Sequence, residues 1–91
     1  MQVTLFTKPN CQLCDAIKYE LLDLQSEYGF SLREELVAGE QDAQQGELPH
    51  VPIVDIERAG RATIRFDFPV KQSELRHTIH AEMKSLLDHR R

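Results

Sequence analysis

Tryptophan is absent from this 91-residue chain, cysteine occurs twice, and glycine and proline occur four times each. Each scarcity excludes something. So few glycines and prolines rule out a collagen-like repeat or a low-complexity linker. The two cysteines, Cys11 and Cys14, stand three positions apart, so a bridge between them closes a very small loop and cannot act as a disulfide framework. No apolar run approaches the roughly eighteen residues of a membrane helix. The opening Met1-Gln2-Val3-Thr4-Leu5-Phe6 also lacks the basic stretch and long apolar region of an export signal. Positive charge is not gathered anywhere: 11 lysines and arginines face 15 acidic residues for a net charge of −4, with both signs scattered, which argues against a nucleic-acid partner. What is present is 41% hydrophobic residues against 29% charged, enough for a packed core in a chain long enough for one domain, 1–91, and too short for two. A soluble cytoplasmic monomer is the expectation. In that compartment thiols are kept reduced, and a Cys-x-x-Cys is more often catalytic or metal-binding than structural.

Val3-Thr4-Leu5-Phe6 reads as a buried strand ended by Thr7-Lys8-Pro9-Asn10. From there the period changes: Cys14, Ile17, Leu21 and Leu24 recur at helical spacing, predicting a helix over Cys11–Glu27 with Asn10 as N-cap and Gly29 just past its end. Phe30, Leu32, Glu34 and Leu36 alternate with polar residues, as a strand with one better-covered face would. A strand, a helix and a strand in succession imply a parallel pair joined by a crossover. The polar stretch Ala38–Leu48 predicts a loop or a single helical turn. After Pro52, Ile53–Ile56 reads as a third strand, and a turn at Arg58–Arg61 leads to Ala62–Phe66 as the second arm of a hairpin. The apolar stripe Leu75, Ile79, Met83, Leu86 and Leu87 predicts a closing helix, with Ser73 as its cap and Asp88-His89-Arg90-Arg91 at its end.

Cys11-Gln12-Leu13-Cys14 opens the first helix directly after the first strand. Backbone N–H groups at a helix N-terminus stabilise an anion, so the first thiol is more acidic than a free cysteine, and only the thiolate attacks. Cys11 is the candidate nucleophile. Cys14 lies nearly one turn on, within bonding reach of Cys11 yet on the Ile17/Leu21 face, and is the candidate resolving cysteine. Two cysteines suffice for thiol–disulfide exchange through a mixed disulfide.

Strand, Lys8-Pro9-Asn10-Cys11-Gln12-Leu13-Cys14, helix, strand, Val51-Pro52 opening a third strand, hairpin and helix together resemble the small glutaredoxin-like proteins of the thioredoxin superfamily over nearly the whole chain. The resemblance implies an α/β thioredoxin-like fold of glutaredoxin type, βαβ(α)ββα: a four-stranded mixed sheet with helices on its faces and a second helix short or missing. It implies a cis proline at Pro52 packed beside the cysteines, substrate hydrogen bonds from the backbone of Val51, and a carboxylate-binding role for Lys8. Two departures are plain. Typical glutaredoxins hold the γ-glutamyl end of glutathione with a Gly-Gly, a small residue and an Asp after the hairpin, where this chain has Phe66-Asp67-Phe68-Pro69. Thioredoxins carry a buried acid six residues before the nucleophile, where Leu5 stands here, and a Trp before the motif.

The leading expectation is therefore a thiol–disulfide oxidoreductase acting on a protein or low-molecular-weight disulfide, with glutathione or a thioredoxin-type reductase as electron donor and no bound cofactor or metal. The alternatives are a binding or carrier module without turnover, motivated by the incomplete glutathione site, and an iron–sulfur or zinc carrier. A zinc set of Cys11, Cys14, His77 and His80 fits no common ligand spacing. His50 reads as a solvated loop histidine, and Asp67 as structural.

Overall fold

The computed structural model of the chain describes residues 1–37 and 50–88. Within them the chain forms β1 (Gln2–Thr7), α1 (Gln12–Tyr28), β2 (Ser31–Leu36), β3 (Ile53–Arg58), β4 (Arg61–Phe66) and α2 (Gln72–Asp88). The expectations for Ala38–Leu48 and for His89-Arg90-Arg91 lie outside the described residues. The strands form one mixed sheet in the order β2-β1-β3-β4. The crossover through α1 makes β1 parallel to β2, while β3 runs antiparallel to both β1 and β4.

Register explains which residues make the core. Val3 pairs with Ile56 and Leu5 with Val54 across β1 and β3, and Val54 and Ile56 pair in turn with Phe66 and Ile64 of β4. Paired residues point to the same face, so these side chains form one apolar surface. Ile17, Leu21 and Leu24 of α1 and Leu75 and Ile79 of α2 close over it, all buried. The two described helices thus share one face of the sheet. An exposed fork ties them together, with Arg76 donating to both carboxylate oxygens of Glu20 at 2.8 and 3.2 Å and to Asp23 at 2.9 Å.

The opposite face mixes polar residues with the paired Phe6 and Ile53, and the Arg65 guanidinium lies over the Phe6 ring. Arg65 of β4 pairs with Asp55 of β3 in register and grips its carboxylate through two bonds of 2.7 and 2.8 Å. β1 is buried on this side as well, at Thr4, which is why its sequence runs apolar without strict alternation.

Element ends differ in detail from the sequence reading. Asn10 is not the cap of α1: it takes a left-handed conformation, φ 58°, which asparagine tolerates better than most residues, and the chain enters the helix one position later. Cys11 is the N-cap, extended at φ −112°, ψ 105°. Gly29 ends α1 in the left-handed conformation, φ 78°, with its N–H bonded to the carbonyl of Gln25 at 2.7 Å. Ser73 lies inside α2, because the N–H of Leu75 bonds to the carbonyl of Lys71 and the first turn starts there. The β3–β4 turn is the two residues Ala59 and Gly60, with Gly60 at φ 69°, so Arg58 and Arg61 are strand ends. Leu36 and Leu86, expected on buried faces, are exposed: Leu36 ends an edge strand, and Leu86 comes after the core contacts of Leu75 and Ile79. The side chain of Leu87 lies outside the described part.

Candidate active site at the head of the first helix

β1 ends at Thr7, and Lys8, Pro9 and Asn10 carry the chain round to Cys11. The cap position then decides what each cysteine meets. The Sγ of Cys11 accepts a hydrogen bond from the backbone N–H of Cys14 at 3.1 Å, the bond a capping serine or aspartate oxygen would otherwise accept. Its carbonyl begins the helix by accepting the N–H of Asp15 at 3.1 Å. Cys14 is 2% exposed and shares the inward face of α1 with Ile17, Leu21 and Leu24, whereas Cys11 is half-buried at the tip. The two are joined as a disulfide, with Cα atoms 5.2 Å apart. Identical side chains three residues apart therefore sit in different surroundings: Cys11 beside free helix N–H groups, Cys14 among hydrocarbon.

Sheet register brings the proline to the same place. Phe6 pairs with Ile53, so Pro52 falls one step further on, level with Thr7, where β1 gives way to the cysteine loop. Pro52 is fully buried and Val51 buried, and the Val51–Pro52 peptide bond is cis. A small pocket of about 80 Å³ joins Leu13, Ala16 and Ile17 of α1 to Pro52 and to Phe68, Pro69 and Val70, the connection from β4 to α2. Lys8 is exposed on the loop before Cys11. His50 is exposed too, and its ring lies 5.7 Å from that of Phe68, tilted by 34°.

The histidines of the zinc alternative go elsewhere. His80 shares a hydrogen bond with the hydroxyl of Tyr28, the last residue of α1. Cys11 caps the other end, and the 17 residues between make a helix about 25 Å long, so His80 and the cysteines cannot ligate one metal ion. Leu5, where a thioredoxin has its acid, is buried and pairs with Val54 in the core.

Two side chains at this site were not singled out by the sequence: Leu13, 58% exposed, and Phe68, 41% exposed. Both are large hydrophobic groups in water beside a buried proline. The available signal was Phe68-Pro69 itself, an aromatic residue in the connection where typical glutaredoxins keep small residues for glutathione.

A four-stranded mixed sheet with both described helices on one face and a cysteine pair capping the first of them defines a protein of the thioredoxin superfamily. More particularly, the chain belongs to the glutaredoxin-like domain family (DUF836), whose model matches residues 2–82. Among solved structures it is similar to thioredoxin 1 from the thermophilic eubacterium Thermosipho africanus TCF52B, with a TM-score of 0.70 over 100% of both chains and 18% sequence identity. That identity is low enough for the likeness to show the fold alone. No curated protein sequence matches the chain. No helix among the described residues is long and apolar enough to cross a membrane.

Proposed function

We propose that this protein is a thiol–disulfide oxidoreductase that reduces a protein or low-molecular-weight disulfide with Cys11 as nucleophile and Cys14 as resolving thiol. The observation that carries this reading is the hydrogen bond from the Cys14 N–H to the Cys11 Sγ at the mouth of α1. In the reduced protein the same donor, with the positive end of the helix dipole, stabilises a thiolate on Cys11. That thiolate attacks one sulfur of the substrate disulfide; a Cys11–substrate bond forms and the other half leaves as a thiolate. Cys14 then loses its proton to solvent and attacks the Cys11 Sγ, which frees the second substrate thiolate and leaves Cys11–Cys14 oxidised. Burial of Cys14 favours its neutral form until that step, so the mixed disulfide persists long enough for substrate to be held.

Val51 and Pro52 are proposed to line the path of the substrate, with the Val51 backbone hydrogen-bonding an extended chain, and Lys8 to attract anionic substrates. Electrons to restore the dithiol come from glutathione or from a thioredoxin-type reductase. The protein is proposed to work as a cytoplasmic monomer in redox homeostasis.

Cysteine substitution tests the reading. Cys11→Ser is expected to abolish disulfide reduction, and Cys14→Ser to accumulate a covalent mixed disulfide visible by mass spectrometry. Undiminished turnover in Cys11→Ser would overturn the mechanism. Turnover coupled to glutathione and glutathione reductase, set against turnover with thioredoxin reductase, identifies the donor.

A further inference from the structure

β2 lies at an edge of the sheet, and among the described residues its one strand neighbour is β1. The bonds at its two ends fix which way its backbone points. The N–H of Ser31 bonds to the carbonyl of Met1 at 3.2 Å and that of Val37 to the carbonyl of Thr7 at 2.9 Å, so the odd-numbered residues turn their backbone groups to β1. Those groups alternate in direction along a strand, and Leu32, Glu34 and Leu36 therefore present their N–H and C=O groups outwards. An open edge is a template for another strand, and the charges along it decide what it accepts.

The sequence of this edge is complementary to itself. Set antiparallel about an axis at Glu34, two copies of β2 bring Leu32 opposite Leu36 and Arg33 opposite Glu35, with the outward backbone groups of both copies in bonded pairs. Arg33 and Glu35 already attract one another within the strand at 3.0 Å, and both side chains are exposed. In the paired edge each also faces the opposite charge of the second copy, which is favourable where like charges directly opposed are not. Sliding one copy by two residues either way sets Arg33 against Arg33 or Glu35 against Glu35, so a single register pairs both correctly. The one like pair, Glu34 with Glu34, brings a cation from each copy, because Lys18 of α1 lies 3.4 Å from the Glu34 carboxylate. Leu36, 68% exposed at the strand end, gains cover from Leu32 of the second copy.

We propose that two copies of this chain associate through antiparallel β2 edges, joining their sheets into one with the described helices of both copies on the same face. The association involves neither cysteine and does not depend on the thiol–disulfide reading. A pair of short strands buries less than the roughly 1,200 Å² of a stable interface, so pairing depends on concentration and the dilute protein is the monomer described above.

The test is sedimentation velocity of the full chain, oxidised so that Cys11 and Cys14 are bonded to each other, between about 10 μM and about 1 mM. The wild type is expected to pass from monomer to dimer over this range, with a dissociation constant of about 0.1 mM. Arg33→Glu and Glu35→Arg each create two like-charge contacts about the axis and should each raise that constant about tenfold. The double variant restores opposite charges in reversed order and should return it to within about threefold of the wild type, a recovery that a misfolded chain cannot show. Leu36→Pro removes an outward N–H and none of the bonds to β1, and should leave a folded monomer by far-UV circular dichroism. A wild type that stays monomeric at every concentration overturns the proposal. So does a dimer that the single reversals leave unchanged, that the double variant does not restore, or that persists in Leu36→Pro.

Discussion

Cys11 and Cys14 have the same chemistry and differ in where the helix puts them. The Cys11 Sγ accepts a backbone N–H at the cap, and Cys14 is 2% exposed on the core side. In the reduced protein this predicts that iodoacetamide labels Cys11 first, with a pH profile displaced below the value of about 8.5 usual for a free thiol, while Cys14 reacts only after unfolding. Labelling of both thiols at one rate, read by peptide mapping, would contradict that asymmetry. Gly29 makes a separate point at the same scale. Its φ of 78° is strained for any residue with a Cβ, although space around it is open. Gly29→Ala should therefore destabilise the protein by about 1–2 kcal/mol through the backbone alone, measured as a shift in the urea midpoint. Gly29→Asn should lose less.

Among the elements, α2 is the one whose attachment can be dissected. Ile79 is fully buried against the core, and Arg76, one turn before it, forks onto Glu20 and Asp23 of α1 in solvent. Ile79→Ala is expected to remove about 2–5 kcal/mol of stability in urea denaturation. Arg76→Ala should have a much smaller effect that disappears at high salt, because an exposed ion pair is screened and its side chains are costly to order. An Arg76 loss as large as the Ile79 loss would mean that charge, not burial, docks α2. Among the described residues, both helices and all four strands were legible in sequence, the helices because Ile17, Leu21 and Leu24 or Leu75 and Ile79 repeat at the helical period. The starts were less so. Asn10 and Ser73 are good cap residues by type, but the cap falls where the chain leaves extended conformation, and that depends on how the preceding strand or connection arrives.

For the whole molecule, the small loop closed by Cys11 and Cys14 predicts that the redox state changes the site and not the fold. Far-UV circular dichroism of the oxidised and dithiothreitol-reduced protein should superimpose, and loss of helical signal on reduction would show that the bridge carries structure. Among the described residues, stability instead rests on one apolar layer, Val3, Leu5, Val54 and Ile56, under two helices. That layer also sets the position of Pro52, since the β1–β3 register runs straight from core pairs to the level of Thr7. Cysteine chemistry and fold are thus linked through a shared strand end, a linkage that no local stretch of sequence contains.

By itself the sequence determined the elements and the reactive pair, because hydrophobic period, turn residues and a Cys-x-x-Cys following a strand are all local signals. Their order along the chain, with the Lys8–Cys14 motif and Val51-Pro52, carried the resemblance to glutaredoxin-like proteins. Only the tertiary structure decided that Cys11 rather than Asn10 caps α1, that both described helices lie on one face, and that Leu13 meets Pro52 and Phe68 around an apolar pocket. The last two facts join residues from opposite halves of the chain, and the physical reason they escape the sequence is that burial and contact belong to the packed chain, whereas periodicity and propensity belong to each segment.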